Sequence, residues 1–338
     1  MASTETRFSP MEGVQRVHAY LKGMGLHLPL EPKDVQEDWS LPFMRWVVEN
    51  TSSGMECRLP DTDPPGIRIG THRDIVCDPA LYNLARVEAG RPTTHIVLGS
   101  NLAGTEWVRN LMVANRAIFI DRTLSGRAAL HQQLELSAQI KEIVESGGHV
   151  WIAQGPGRSK DGKDETSPSL LRMLGLAWGG ENDGPAVLQG LLRPVVIRYD
   201  INPCDMLLVR EKLTGEKEER EDERSMRLGL EGWKGRVQCH ESEAIDISSK
   251  EDPWDWVTLA KAVDQAIRDA GIHGQWAHDA LRILKAPERS SLPESLAERL
   301  QSVKEALGPL SESKSEQELI TALCEVYREG VGAADEAG

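Results

Sequence analysis

A chain of 338 residues with 40% hydrophobic and 27% charged side chains can bury a sizeable core, which excludes a disordered polypeptide. Its formal net charge of −14 argues against nucleic acid or an anionic bilayer as a general partner, although a local basic pocket would still bind phosphate. No run approaches the roughly 20 apolar residues needed to cross a membrane, and five scattered cysteines without a CxxC pair argue against a disulfide framework or a structural zinc.

Residues 1–10 are polar, carry Glu5 and Arg7, and have no apolar core like that of a signal peptide. The expected location is cytoplasmic, with transient contact at the cytoplasmic membrane face left open. Residues 11–26 place Val14, Val17, Leu21 and Met24 at helical spacing, and Pro29 and Pro32 end the segment. Residues 35–50 carry Trp39, Phe43, Trp46 and Val47, again helix-like around Pro42. Residues 1–60 therefore read as a helical cap on a core, with a membrane-facing role for the tryptophans as the alternative.

A short strand at 66–70 runs into Thr71-His72-Arg73-Asp74, and 79–88 is helical. Thr94–Leu98 reads as a strand, 105–114 as a helix, and Ile118–Ile120 as a strand ending at Asp121-Arg122. The clearest helix covers 127–146, with Leu130, Leu134, Leu136, Ile140, Ile143 and Val144 in phase and Gly147-Gly148 as its stop. Val150–Ala153 is the next strand, followed by a polar glycine-rich loop at 155–166, a helix near 168–176 and a buried strand at Leu191–Tyr199. The charged stretch 211–225 reads as a solvated helix or exposed loop. Helices are expected at 253–269, 292–307 and 315–328, and residues 329–338 read as a frayed acidic tail. Strands alternating with helices predict an α/β fold: a mixed, mostly parallel central sheet flanked by helices. The expected division is a catalytic domain over 61–250 with C-terminal helices over 251–328 packed on it.

Three stretches could carry chemistry. His72 leaves a strand, and Asp78 opens the next helix beside Pro79. If the chain folds back, the carboxylate would hold one ring nitrogen and leave the other to take a proton from an alcohol. A loop histidine with Asp78 as an ordinary helix cap is the plain alternative. Arg122, at a strand end, offers a planar fork for phosphate, or a surface salt bridge with Asp121 beside it. Gln154–Lys163 follows a strand with three glycines, Arg158, Lys160 and Lys163, so it is either an anion cradle or an exposed loop. Walker A, GxGxxG, HExxH and GxSxG motifs are absent, which argues against an ATP-dependent ligase.

Taken together, four ordered blocks resemble the glycerolipid acyltransferase superfamily, which includes glycerol-3-phosphate and 1-acylglycerol-3-phosphate acyltransferases. Thr71-His-Arg-Asp-Ile-Val-Cys-Asp-Pro-Ala80 resembles its first block, a His followed closely by an Asp. Arg116-Ala-Ile-Phe-Ile-Asp-Arg122 resembles the second, which ends in a phosphate-binding Arg. Val150-Trp-Ile-Ala-Gln-Gly-Pro-Gly-Arg158 resembles the third, and Arg193-Pro-Val-Val-Ile-Arg198 the fourth. The resemblance covers roughly 65–245, where Tyr199–Asp205 is similar to a soluble-looking bacterial branch. It implies that His72 is the general base and that Asp78 orients it. It further implies that Arg122 binds the acceptor's phosphate with help from Arg158, that Gly157 permits a tight turn, and that Pro194 shapes the pocket wall. The implied reaction moves a fatty acyl group from a thioester, acyl-coenzyme A or an acyl carrier protein, to a hydroxyl of glycerol 3-phosphate or 1-acylglycerol 3-phosphate. It needs neither a metal nor any other cofactor.

Two features depart from the family pattern. Five residues separate His72 from Asp78 where the family has four, and Pro156 stands where an acidic residue is expected before Gly157. A proline has neither a carboxylate nor a backbone N–H. A degenerate relative that binds lipid or acyl carrier without turnover is the alternative these departures leave open.

Overall fold

A computed structural model describes residues 18, 20–23, 25–29, 32–155, 157–248, 254–287 and 290–328. Val14, Val17, Met24, Pro156 and the tail 329–338 lie outside the described residues, as does most of the helix expected at 11–26, of which 20–23 is helical.

Among the described residues seven strands form one sheet: β1 (Gly54–Arg58), β2 (Gly66–Gly70), β3 (His95–Gly99), β4 (Ala117–Ile120), β5 (His149–Ala153), β6 (Leu192–Tyr199) and β7 (Arg236–Glu241), in the order β1-β7-β6-β2-β5-β3-β4. Every neighbouring pair is parallel except β6 and β7. The sheet is thus mixed and mostly parallel, flanked by helices. Every residue of β2, β5 and β6 is buried, as expected of strands covered on both faces.

The two-residue strand period sorts side chains into two layers. Val150 and Ile152 join Ile67, Ile69 and Val196 under the helices Gly126–Glu145, Pro168–Gly175 and Trp256–Asp269. Trp151 and Ala153 join Val195, Ile197 and Tyr199 under the helices Leu41–Thr51 and Cys77–Glu88. Pro42 sits in the first turn of Leu41–Thr51, where a missing N–H costs the helix nothing. A third cluster packs the helices Ala277–Lys285, Glu294–Leu307 and Glu316–Tyr327 on Asp205–Thr214. Arg299 grips the buried Asp205 carboxylate through two bonds of 2.6 and 2.5 Å, and Tyr327 adds a third at 2.6 Å. No helix among the described residues is long and apolar enough to cross a membrane.

Strands β1 and β7 and the helix Ala277–Lys285 were not expected. In both strands polar residues interrupt the apolar positions, as in Arg236-Val-Gln-Cys-His-Glu241.

The fully buried Arg68 of β2 is neutralised inside the sheet. Its Nε donates to Glu241 Oε1 at 3.2 Å, and its Nη2 to Asp63 Oδ1 at 2.7 Å. Its Nη1 lies 2.7 Å from His149 Nδ1. Arginine only donates, so Nδ1 is the unprotonated nitrogen and the proton sits on Nε2, 3.4 Å from Asp63 Oδ2. Burial first, then the charges of Arg68 and Arg86, pull the His149 pKa down to about 4. The folded value lies below the ordinary 6.5, so the unfolded chain takes up the proton first. Stability held at neutral pH should therefore be lost as the pH falls from about 6.5 to about 4. Urea midpoints measured across this window should fall more steeply for the wild type than for His149→Asn. Equal slopes would refute the assignment.

Candidate active site

His72 follows β2 by one residue beyond Thr71, at the carboxyl end of the central parallel strands. Its Nδ1 lies 3.5 Å from Asp78 Oδ2, which leaves Nε2 as the ring nitrogen not directed at the carboxylate. Asp78 is fully buried. Its Oδ2 accepts the backbone N–H groups of Arg73 and Asp74 at 2.6 and 2.9 Å, and its Oδ1 accepts the Tyr199 hydroxyl at 2.7 Å. Burial, then the Asp78 charge, push the Tyr199 phenol well above its ordinary range, which keeps it a donor.

Asp78 is not the cap of its helix: its side chain reaches upstream. Asp74 takes that part instead, its Oδ1 accepting the N–H groups of Val76 and Cys77 at 2.8 and 2.7 Å. Burial and the neighbouring Asp78 raise the Asp74 pKa. The five residues between His72 and Asp78 thus wind into a turn held from both ends by carboxylates.

His72, Gly157, Arg158 and Arg122 all line one cleft of about 580 Å³, part of it open solvent. Ile75, Leu98, Leu102 and Trp151 supply apolar wall. Arg122 stands on the exposed side of the cleft, near Gly99 and in the field of Asp222. Desolvation lowers its pKa and Asp222 partly offsets this. Arg158 is buried, with its Nη2 3.7 Å from Glu221 Oε1. A Cβ built on Gly157 would meet nothing within 4 Å, so crowding does not demand glycine there.

Pro194 is not among the residues lining the cleft. It lies inside β6 in register with Ile69, and pairing with β7 begins only at the next residue, Val195. Its missing N–H therefore falls at the end of that ladder, and its place is in the sheet rather than the pocket wall.

The glycine-rich loop after β5 is pinned rather than free. Ser159 N–H donates to the His72 carbonyl at 2.9 Å, and Arg328 Nε to the Asp161 carbonyl at 2.7 Å. Asp164 takes Arg73 and Arg198 at 2.6 and 2.5 Å. Burial raises the Asp164 pKa, but the two guanidiniums outweigh it and leave the carboxyl below its ordinary value.

Sequence reasoning missed several residues here. The stretch read as a solvated charge run reaches the cleft: Lys217 and Asp222 line it, joined at 2.9 Å. Asn101 donates to Asp222 at 3.1 Å, and Glu221 is buried against Arg158. The density of alternating charge was the available signal, since an acid–base run can neutralise itself across a fold as readily as in water. Nothing local marked Tyr199 or Trp151, which reach the site through strand order.

No family model matches the chain, and no curated protein matches it. Among solved structures the chain is similar to the 1-acyl-sn-glycerophosphate (LPA) acyltransferase PlsC from Thermotoga maritima. The identity is 13% and the TM-score 0.38, with 77% of this chain and 93% of that one covered.

Replacing Tyr199 with Phe leaves Asp78 Oδ1 without its phenol donor in a fully buried place. The expected cost is about 1–3 kcal/mol, read from urea unfolding. A loss below about 0.3 kcal/mol would show that the bond carries no stability.

Proposed function

We propose that the chain transfers an acyl group from a thioester to a hydroxyl of a phosphorylated glycerol. The observation carrying this reading is a histidine backed by a buried carboxylate, in the same cleft as two arginines able to take a phosphate. The four sequence blocks described above agree with it. In this reading Asp78 holds Nδ1 protonated, and His72 Nε2 accepts the proton of the acceptor hydroxyl. The contact of 3.5 Å is long for a hydrogen bond, and such contacts tighten when substrate fills a site. The hydroxyl oxygen attacks the thioester carbonyl carbon, and the tetrahedral intermediate collapses by breaking the carbon–sulfur bond. The thiolate takes the proton from the imidazolium, giving ester and free thiol with His72 neutral again. Arg122 and Arg158 neutralise and orient the phosphate, so that the reacting oxygen is held at the base.

Coenzyme A or an acyl carrier protein would supply the thioester, and glycerol 3-phosphate or 1-acylglycerol 3-phosphate the hydroxyl. The latter would be drawn from a membrane surface by transient contact. The reading is tested by thiol release from acyl-coenzyme A and acyl-carrier donors with glycerol 3-phosphate, lysophosphatidate or no acceptor. Acceptor-dependent release is expected, and its absence across the panel would remove the reading.

His72→Ala should nearly abolish turnover while the circular dichroism melt stays close to that of the wild type. Turnover at the wild-type rate would rule out His72 as the base. Arg122→Ala removes a charge-assisted contact of roughly 1.5–3 kcal/mol, so the KM for the phosphorylated acceptor should rise about 10- to 100-fold. A change confined to the thioester's KM would contradict the phosphate role.

A further inference from the structure

Trp151 is 2% exposed, yet it lines the cleft that holds His72. Its indole lies against Gly70, the last residue of β2 and two before His72. A methyl group built on that glycine would come within 2.4 Å of Nε1 and 2.5 Å of Cε2 and Cζ2. The absence of a Cβ is thus what lets the N–H edge of the ring reach the end of this strand. Among the described residues, this buried N–H has no hydrogen-bond acceptor. A buried donor left unmade costs about 1–3 kcal/mol, and phenylalanine would fill much of the same apolar volume without that cost.

The place of the donor indicates what it serves. The carbonyl carbon under attack must lie within bonding reach of the oxygen that gives its proton to His72, so the carbonyl oxygen belongs on the base's side of the cleft. Arg122, on the exposed side, is matched to phosphate by charge and by its fork of donors. A single neutral N–H on a side chain lining the same cleft as the base suits a carbonyl oxygen that becomes negative only as the reaction proceeds. Building on the acyl-transfer reading, we propose that Trp151 Nε1–H donates to the thioester carbonyl oxygen and stabilises the oxyanion of the tetrahedral intermediate. The indole keeps its proton throughout. The acceptor's proton passes to His72, the carbon–oxygen bond forms, and the carbon–sulfur bond breaks as thiolate leaves and is protonated.

Removing one oxyanion donor costs about 100- to 1000-fold in kcat. Trp151→Phe should therefore lower kcat by about 100-fold or more in the thiol-release assay, with the acceptor KM within about twofold of the wild type. A second measurement uses the wild-type protein labelled with nitrogen-15 and an unreactive ketone analogue of acyl-coenzyme A, in which a methylene replaces the thioester sulfur. The Trp151 indole resonance, identified as the one missing from Trp151→Phe, should move downfield on saturation. A Trp151→Phe kcat within about threefold of the wild type would overturn the proposal. So would an unmoved indole resonance, even if the variant lost rate through poor folding. Wild-type turnover with an unaffected variant removes only the indole's role. Absence of turnover by the wild type removes the acyl-transfer reading and this proposal with it.

Discussion

The buried carboxylate of Asp78 is the joint on which the site depends. It belongs to the helix Cys77–Glu88, yet it binds the backbone leaving β2 and the hydroxyl of Tyr199 at the end of β6. Two strands and a helix are thereby fixed to one group, and His72 is the side chain brought against it. A carboxylate taken out of water without such donors would be strongly unfavourable. The bonds that make its burial tolerable also set the path of the chain through His72. Positioning of the histidine and satisfaction of the carboxylate are therefore one structural problem with one solution.

The same economy governs the arginines within the sheet. Arg68 and Arg198 occupy fully buried strand positions, where an isolated charge would cost several kcal/mol. Each is met by at least one acid from a distant part of the chain. Arg68 takes Asp63 and Glu241, and Arg198 shares Asp164 with Arg73. Buried pairs of this kind are weak evidence for extra stability, because desolvation offsets most of the attraction. Their effect here is placement. Asp164 can satisfy two guanidiniums only if the loop after β5 folds down onto the sheet, and this brings Gly157 and Arg158 to the cleft beside His72.

Much of the fold was legible because β5 and the middle of β6 are buried on both faces and read as apolar runs between turn signals, while β2 shows isoleucines flanked by glycines. Strand β7 was not, because its inward positions are Val237, Cys239 and Glu241, and a buried glutamate has no apolar signature. The proximity of His72 to Asp78 was legible because both lie in one short segment. Trp151 and Tyr199 were not, since they reach the site only through the placing of β5 and β6 on either side of β2. Pro194 shows the converse: a place in a sequence block does not put a residue on a surface.

Electrostatics also separates the cleft from the molecule around it. The chain as a whole carries −14, so its distant field repels anions. Around the cleft the charges of Arg122, Arg158 and Lys217 are matched by those of Asp222, Glu221 and Asp78. Within about 8–10 Å, the screening length at moderate salt, these fixed charges rather than the remote ones set the local field. Asp222 is already held by Lys217 and Asn101. An acidic protein can in this way keep basic side chains in a cleft without becoming a general binder of polyanions. The arrangement is carried by a charge run that looks, along the chain, like nothing more than solvated surface.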